Sequence, residues 1–511
     1  MLALALVGAG AGPVRAQTPS SLSSSAQLPS LGDTSDLSSN AERRLGDQIA
    51  RQIYRDPDYL DDPVLGEYVQ GIWQPLLAAA RARGDLTPEL EARFAWEVML
   101  SRERSVNAFA LPGGYLGVHL GLIAMVGSRD ELASVLGHEL SHVTQRHISR
   151  LMSKQSQQAP WLLAAMILGA LAASQNVEAG NALMVGGQAI AAQNQLNFSR
   201  DMEREADRVG FGVMTQAGFE AQGFVSMFDK LQQASRLNDS GAYPYLRSHP
   251  LTTERIADMQ SRQPLGASAA ASVPMALSME HAMITARARV LSNPGVDALR
   301  ALQLEVPDAQ LAKGAPGRQA GVWYGAALAA SRLRDFSNAT AYLERLNRLV
   351  QSEASAARLS RLLQAEVALA AGDAPRAAAV LQASAPTRAE LLLGAQVAAQ
   401  MGPGTGADAA AQRLQLWLAA HPADAQAWQV LARVYAAQRQ PVRAIRAEAE
   451  SQVARLDYAG AIDRFKAAQE LLRQPRAGNA GAAPADHIEA SIIDTRRRQV
   501  ELLLKEQALE H

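Results

Sequence analysis

The sequence predicts a mainly α protein in two parts, an α+β domain with a small sheet followed by an all-α domain of helical repeats. Alternating apolar and β-branched residues, which indicate strands, are concentrated between 94 and 118. Helical patterns fill most of the rest, with abundant alanine and only 5% aromatic residues. A length of 511 residues exceeds one core of typical size, so two or three domains are expected.

Composition excludes several classes of function. Acidic and basic residues nearly balance at a net charge of −1, which argues against a broad nucleic-acid surface. The chain has no cysteine, so it can form neither a disulfide framework nor a thiolate metal site. Any transition-metal site must therefore use His, Asp and Glu.

The first residues predict an export signal. "MLALALVGAGAGPVRA" is an apolar run ending in small residues, and cleavage is expected after Ala16. A signal peptide over 1–16 implies a bacterial periplasm. Residues 17–40 are rich in Ser and Pro without periodicity, which indicates a flexible leader.

The first folded domain is expected over residues 41–262. Short strands are predicted within 94–118, with Pro112-Gly113-Gly114 forming a turn. Ser128 and Glu131 have capping-box spacing, so a helix should begin there and run from about 129 to 152.

An apolar segment at 159–173 allows two interpretations. With about 15 residues it is shorter than the ~20 that a spanning helix needs. It is either a buried helix or hairpin arm, or a mobile or membrane-touching flap over the functional site.

The second half shows a repeat. The small-residue stretch 263–274 predicts the main domain boundary, within a linker and connecting helix over 263–317. Beyond it, alanines recur at spacings of 38, 33, 34 and 17 residues, at Ala339, Ala377, Ala410, Ala444 and Ala461. This resembles the 34-residue tetratricopeptide pattern, which usually offers a concave surface for peptides or partner proteins. The repeat domain is expected over 318–475 and a C-terminal helix over 476–511; the alternative is an all-α domain without repeats.

The stretch "VLGHELSHVTQRH" (135–147) raises the question of chemistry. His138 and His142 are four residues apart, so on a helix both imidazoles can face one cation. Glu139 lies one step round, where its carboxylate can reach a metal-bound water. The alternative is an ordinary amphipathic helix that carries histidines.

A catalytic zinc needs a third protein donor and an open position. "DMEREAD" supplies Glu203 and Asp207 on one face of a second helix, one as a ligand and the other as a hydrogen-bond partner of a histidine. Glu205 points away from that face and is the weaker candidate. Strand-like "NAFALPGG" just before the first helix could hold an extended peptide by backbone pairing.

The other histidines are expected to be structural. His147 lies about 140° round from His142 on a continuous helix, so it should be exposed or hydrogen-bonded rather than a ligand. His119 is expected to be a strand or turn residue. The remaining histidines outside "SHP" belong to no cluster, namely His281, His421, His487 and His511.

Four segments together carry a resemblance to a known family. "NAFALPGGYLGVHLGLI", "ELASVLGHELSHVTQRH", "SRDMEREADRVG" and "SHPLTTERI" resemble the gluzincin metalloprotease family that includes HtpX, Oma and the CAAX-processing proteases. The similarity covers about residues 41–262 and implies a zincin-like α+β metallopeptidase domain. With a signal peptide in front and repeats behind, the chain resembles a periplasmic subgroup of that family.

The resemblance implies roles for individual residues. His138 and His142 match the paired ligands of one zinc ion per chain, and Glu203 matches the third ligand. Glu139 matches the general base, and Asp207 matches the carboxylate that supports a histidine.

Two further positions match the family without a settled role. His249, in "SHP", would either stabilise the oxyanion or bind zinc as a fourth ligand that shuts the site. Arg255 matches an arginine that commonly follows this motif.

The resemblance implies a periplasmic zinc endopeptidase that hydrolyses misfolded or stalled outer-membrane proteins. The repeat domain would dock these envelope proteins or the outer-membrane assembly machinery, and no nucleic-acid partner is expected. The alternative is mainly a chaperone or adaptor for outer-membrane protein assembly, with the protease site normally closed.

Overall fold

The computed structural model describes residues 37–155, 199–237, 243–262, 278–293, 295–305, 314–381, 387–474 and 484–508. Residues from Leu37 onward belong to one unit. The predicted signal peptide, nearly all of the leader, the apolar segment 159–173 and the stretch 263–274 lie outside the described residues.

The first half combines helices with one small sheet. Several of its helices begin after a Ser, Thr or Asp whose side chain accepts a backbone N–H of the first turn, and Ser128 is one of these, as its spacing predicts. In chain order the elements are α1 (Ser39–Arg55), β1 (Tyr59–Leu60), α2 (Pro63–Arg83), α3 (Pro88–Arg93), β2 (Glu97–Ser101), β3 (Ala108–Leu111), β4 (Tyr115–His119), α4 (Leu120–Met125), α5 (Arg129–Thr144), α6 (His147–Gln155), α7 (Arg200–Gln216), α8 (Gln222–Leu237), α9 (Pro244–Ser248) and α10 (Thr253–Ser261).

The sheet has the strand order β1-β2-β4-β3, so β3 lies at one edge. β2 and β4 are parallel, while β1 and β3 pair antiparallel with β2 and β4 respectively. The strands predicted within 94–118 are confirmed. The turn between β3 and β4 also lies where it is predicted, with Gly113 and Gly114 at φ of 73° and 86°, a region that glycine enters without strain.

The prediction of a single helix over 129–152 is wrong. α5 ends at Thr144 and α6 begins at His147, because Arg146 adopts a φ of 52°. That left-handed conformation costs an L residue roughly 1–2 kcal/mol. An ion pair of 3.1 Å between the Arg146 guanidinium and the buried Glu42 carboxylate in α1 favours it. α6 therefore does not continue the helical rotation of α5.

α5 and α7 cross at two glycines. A Cβ placed on Gly210 would lie 2.9 Å from the backbone nitrogen of His138, and one on Gly137 would lie 3.2 Å from the Gly210 oxygen. The two backbones approach this closely because neither residue has a side chain at the crossing. The crossing places the polar face of α7 against the histidines of α5.

We expect Gly210→Ala to lower the free energy of unfolding by about 1–3 kcal/mol, because the added methyl group forces the two helices apart. Urea denaturation of the purified full-length chain measures the change. Gly66→Ala is the matched control, since a Cβ on that helical glycine of α2 has nothing within 4 Å. The control should gain stability, on the order of 0.5–1 kcal/mol. A neutral Gly210→Ala would contradict the tight crossing.

The second half is all α within the described residues. Its elements are α11 (Met279–Ser292), α12 (Val296–Leu304), α13 (Pro316–Arg332), α14 (Phe336–Leu349), α15 (Ala354–Ala370), α16 (Ala374–Leu381), α17 (Arg388–Met401), α18 (Thr405–Ala420), α19 (Ala425–Ala437), α20 (Pro441–Ala454), α21 (Tyr458–Arg473) and α22 (Pro484–Ala508). The predicted α+β domain followed by an all-α region is confirmed.

The alanines that define the predicted period share one property. Every one of them is buried, as packing between neighbouring helices requires: Ala339, Ala377, Ala410, Ala444 and Ala461. Assignment of these helices to the tetratricopeptide class stays a prediction.

Within its described residues, the segment predicted to connect the two halves forms the helices α11 and α12. α11 packs into the core, where the imidazole of His281 lies 2.6 Å from Tyr68 Oη of α2 and 3.0 Å from the Val126 carbonyl oxygen. One cluster of buried apolar residues extends from Leu60 to Val397. The cores of the two halves are therefore continuous. Among the described helices, none combines the length and the apolar character needed to cross a membrane.

Candidate metal centre

Two imidazoles from α5 meet at the crossing with α7. His138 and His142 are one turn apart and fully buried, and their Nε2 atoms lie 2.9 Å from each other. The helical spacing alone places both rings on one face. The centre is built around this pair.

α7 contributes two carboxylates from the same face of its first turns. Glu203 Oε1 lies 3.5 Å from His142 Nε2, and Glu203 Oε2 lies 3.6 Å from His138 Nε2. Asp207 Oδ1 lies 2.9 Å from His138 Nδ1, on the other side of that ring. Glu203 thus faces the paired nitrogens, whereas Asp207 supports one of the rings from behind.

His249 completes the cluster from the residue that follows α9. Its Nδ1 lies 3.0 Å from Glu203 Oε1 and 3.4 Å from His138 Nε2. Burial opposes its charged form, but the facing carboxylates of Glu203 and Glu139 raise its pKa above the ordinary value. Ligand atoms of His138, His142, Glu203 and His249 all lie within 4.8 Å of one another.

Arg255, at the start of α10, has a contact that the sequence does not reveal. Its Nε and Nη2 donate to the two oxygens of Asp207 at 2.6 and 2.8 Å. Its Nη1 lies 2.9 Å from Glu203 Oε2, without hydrogen-bond geometry. Although burial alone would raise the pKa of Asp207, the bonds from Arg255 and His138 hold it below its ordinary value. Asp207 is therefore a carboxylate, which can only accept the proton of His138 Nδ1.

Glu139 stands beside the donors without sharing their face of α5. Its Oε2 accepts from the backbone N–H of Ala110 in edge strand β3 at 2.9 Å. Its Oε1 is buried with no hydrogen-bond partner among the described residues, 3.5 Å from His249 Nε2. Burial raises the pKa of this carboxyl. One oxygen is thus anchored to the sheet edge, and the other is available to a reacting group.

The donor set fits a zinc ion. Because Asp207 accepts from His138 Nδ1, the Nε2 of a neutral His138 is unprotonated and offers its lone pair to the cluster. Nitrogen and oxygen donors at the zinc distance of about 2.0–2.1 Å lie roughly 3.3 Å apart in a tetrahedron. Five of the six pairs among His138, His142, Glu203 and His249 have separations of 2.9–3.6 Å, which bracket that value.

The other histidines divide into two kinds. His119 ends β4 and bonds Ser105, and His281 is buried in the core, so neither joins the cluster. His147 is expected to be either exposed or hydrogen-bonded, and the structure shows the second of these. It is fully buried, with its Nδ1 2.9 Å from His142 Nδ1. Glu205 lies 3.1 Å from His147 Nε2 and does not reach the donor cluster.

Comparisons with known proteins find sequence similarity to peptidases. Residues 71–263 match the sequence profile of peptidase family M48. The chain is 30% identical over 445 residues to the beta-barrel assembly-enhancing protease of Yersinia pestis, a match that covers 86% of this chain and 87% of that protein. It is 31% identical over 169 residues to the mitochondrial metalloendopeptidase OMA1 of Arabidopsis thaliana, covering 33% of this chain and 32% of that protein.

Other matches are shorter. The beta-barrel assembly-enhancing protease of Escherichia coli strain K12 is 30% identical over 332 residues, 64% of each chain. A relative from Vibrio cholerae is 33% identical over 328 residues, 63% of each chain. These two matches span just under two thirds of the relatives' own length.

Helices crossing beside a small sheet, with paired histidines and a glutamate facing one point, define a zincin-like metallopeptidase domain of the gluzincin type. The Yersinia pestis match, which covers 86% of this chain, extends the similarity well beyond that domain. The chain belongs to peptidase family M48.

Proposed function

We propose that this chain is a zinc-dependent endopeptidase of the periplasm that hydrolyses misfolded or stalled outer-membrane proteins. The observation that carries the proposal is the buried cluster of His138, His142, Glu203 and His249 beside Glu139. The substrate class is supported by the relatives from Yersinia pestis and Escherichia coli, whose name is beta-barrel assembly-enhancing protease. The predicted export signal supports the compartment.

The chemistry follows from the orientation of each residue. When bound, zinc supplies a Lewis acid that polarises a peptide carbonyl and lowers the pKa of the attacking water. His138, His142 and Glu203 are the proposed ligands, and Asp207 holds the His138 ring in place. Glu139 accepts the proton of the water and delivers it to the leaving amine. Its anchored oxygen keeps the reactive oxygen directed at the cluster.

The edge strand suggests how substrate is held. β3 is the edge strand of the sheet and pairs with β4 on one side, while its Ala110 N–H is engaged by Glu139. An extended peptide would add to the other backbone groups of this edge, which suits a substrate that has lost its fold.

The position of His249 favours the alternative function, a chaperone or adaptor whose protease site is normally closed. In this arrangement its Nδ1 lies among the donors, so we propose that it serves as a fourth ligand rather than as an oxyanion donor. A site with four protein ligands is closed to water until one leaves. The chain would then act mainly as a chaperone or adaptor for outer-membrane protein assembly until His249 moves, and the helical half would dock substrates or the assembly machinery.

Metal removal tests the enzymatic proposal. Purified full-length chain is expected to contain one zinc ion and to cleave an unfolded outer-membrane protein. Dialysis against a strong chelator should abolish cleavage, and one equivalent of zinc should restore it. Metal content by mass spectrometry and cleavage by gel electrophoresis provide the two readouts. Cleavage by metal-free protein, or folded protein that binds no zinc, would refute the proposal.

A further inference from the structure

His147 lies beside the cluster although a continuous helix would turn it away. Its Nδ1 is 2.9 Å from His142 Nδ1, the ring nitrogen opposite the one that faces the donors. The break at Arg146 causes this return, and the ion pair with Glu42 anchors the break. The strained Arg146, held by the buried Glu42, thus places the His147 imidazole against His142 Nδ1.

The far side of the His147 ring is also held. Its Nε2 lies 3.1 Å from Glu205 Oε2, and that oxygen accepts from Arg150 Nη1 at 2.9 Å. A carboxylate only accepts, so the proton of the His147 ring lies on Nε2 and its Nδ1 is an acceptor. His142 must then donate from Nδ1. The His142 Nε2, which faces the other donors, consequently carries the lone pair that a metal ion requires.

The tautomer of His138, the other histidine of the pair, is fixed in the same way. Asp207, bound by Arg255, accepts from His138 Nδ1 and leaves His138 Nε2 unprotonated. Each histidine therefore has an arginine-bound carboxylate behind it, directly for His138 and through an inserted imidazole for His142. Partners of this kind fix the tautomer and the ring orientation of a metal ligand.

We propose that His147, backed by Glu205 and Arg150, is a positioning residue that holds His142 in its metal-binding tautomer. The inference rests on the proposed metallopeptidase function, but it concerns the affinity of the site for zinc and not the cleavage step. It gives a role to a histidine outside the four donors and to the helix break that delivers it.

Zinc affinity of the full-length chain, measured by competition with a chromophoric chelator, tests the proposal. His147→Phe keeps ring volume but removes both nitrogens, so affinity should fall about 10- to 100-fold. His147→Asn retains an amide oxygen that can accept from His142 Nδ1, and it should recover most of the loss. Long-range ¹H–¹⁵N spectra of the metal-free protein should show the ring proton of His142 on Nδ1 in wild type. In His147→Phe the spectra should show this proton exchanging between Nδ1 and Nε2.

Matched controls separate positioning from general damage. His281→Phe removes another buried, hydrogen-bonded histidine far along the chain and should leave zinc affinity within twofold of wild type. If His147→Phe does not fold, the partly exposed Glu205 decides: Glu205→Leu removes the acceptor of His147 Nε2 and should weaken zinc binding several-fold. Glu254→Leu removes a carboxylate that pairs with Arg204 at the surface and should leave zinc binding unchanged. Unchanged affinity in His147→Phe or Glu205→Leu, or a wild-type His142 protonated on Nε2, would overturn the proposal.

The outcome is independent of peptide cleavage. A chain that binds zinc and loses affinity with these variants, yet cleaves nothing, would keep the positioning role and refute the endopeptidase. A chain that cleaves peptides with unaltered zinc affinity in the variants would do the reverse.

Discussion

Glu139→Gln is expected to lower the rate of peptide cleavage by at least about 10³-fold while the chain keeps its zinc. General acid–base catalysis contributes 10²–10⁴-fold, and Glu139 is proposed to act at both proton transfers. Glutamine has nearly the same shape and can still accept from Ala110 N–H with its amide oxygen. It cannot take a proton from water at neutral pH. Cleavage of an unfolded outer-membrane protein, with zinc content measured on the same sample, checks this.

Glu131→Gln is the matched control for that experiment. Glu131 is also buried on α5, two turns before Glu139, where it accepts from Gly127 N–H and Lys230. Its substitution should leave cleavage within a few-fold of wild type. Glu139→Gln protein that retains cleavage would exclude Glu139 as the base. If instead cleavage is lost but outer-membrane protein assembly in cells is unaffected, the chaperone or adaptor alternative is favoured.

The arrangement of the four site residues on α5 and α7 is largely local in origin. His138 and His142 share a helical face by spacing alone, and so do Glu203 and Asp207. Two such faces can be read from a single sequence because each requires only that its segment be helical. Their meeting depends in addition on Gly137 and Gly210, which permit the crossing.

The supporting contacts could not be predicted in this way. The position of His147 depends on a helix break at Gln145–Arg146, where neither glycine nor proline signals an end, and the residue that anchors the break is Glu42, 104 positions away. The bond from Arg255 to Asp207 spans 48 positions. Helical periodicity contains no information on such long-range pairs, so the angle between His142 and His147 on a continuous helix does not give the position of the His147 ring.

The ion pair that links the two halves could not be predicted either, because it also joins residues far apart in the chain. A run of small residues at 263–274 predicts the main domain boundary, and the helix after it is expected to connect the domains. Its buried guanidinium, Arg287, instead reaches back 225 positions to Asp62. Composition predicts where two domains are joined, but it does not show which later segment packs against the first domain.

Arg287→Met is expected to lower the free energy of unfolding by about 3–5 kcal/mol, because it leaves a buried carboxylate without its cation. Arg287 donates to Asp62 at 2.7 and 2.9 Å and to Glu366 at 3.0 Å, and all but 6% of its side chain is buried. Its Nη1 also donates to Tyr324 Oη at 3.0 Å. Methionine preserves much of the apolar stem but satisfies none of these groups. Urea denaturation at fixed, saturating zinc measures the loss, since bound metal itself adds to stability.

Arg289→Met, two residues further along α11, provides the control. Arg289 pairs with Glu305 at 2.7 Å, but both side chains are more than one third exposed, so its loss should cost no more than about 1 kcal/mol. Arg287 joins Asp62 of the first half to Glu366 of the second. Its substitution should therefore shift the urea midpoints of the tryptophan fluorescence change and of zinc release by the same amount. A shift in only one of these two midpoints would mean that the halves unfold separately. A loss in the free energy of unfolding as small as that of Arg289→Met would show that Arg287 does not couple the halves.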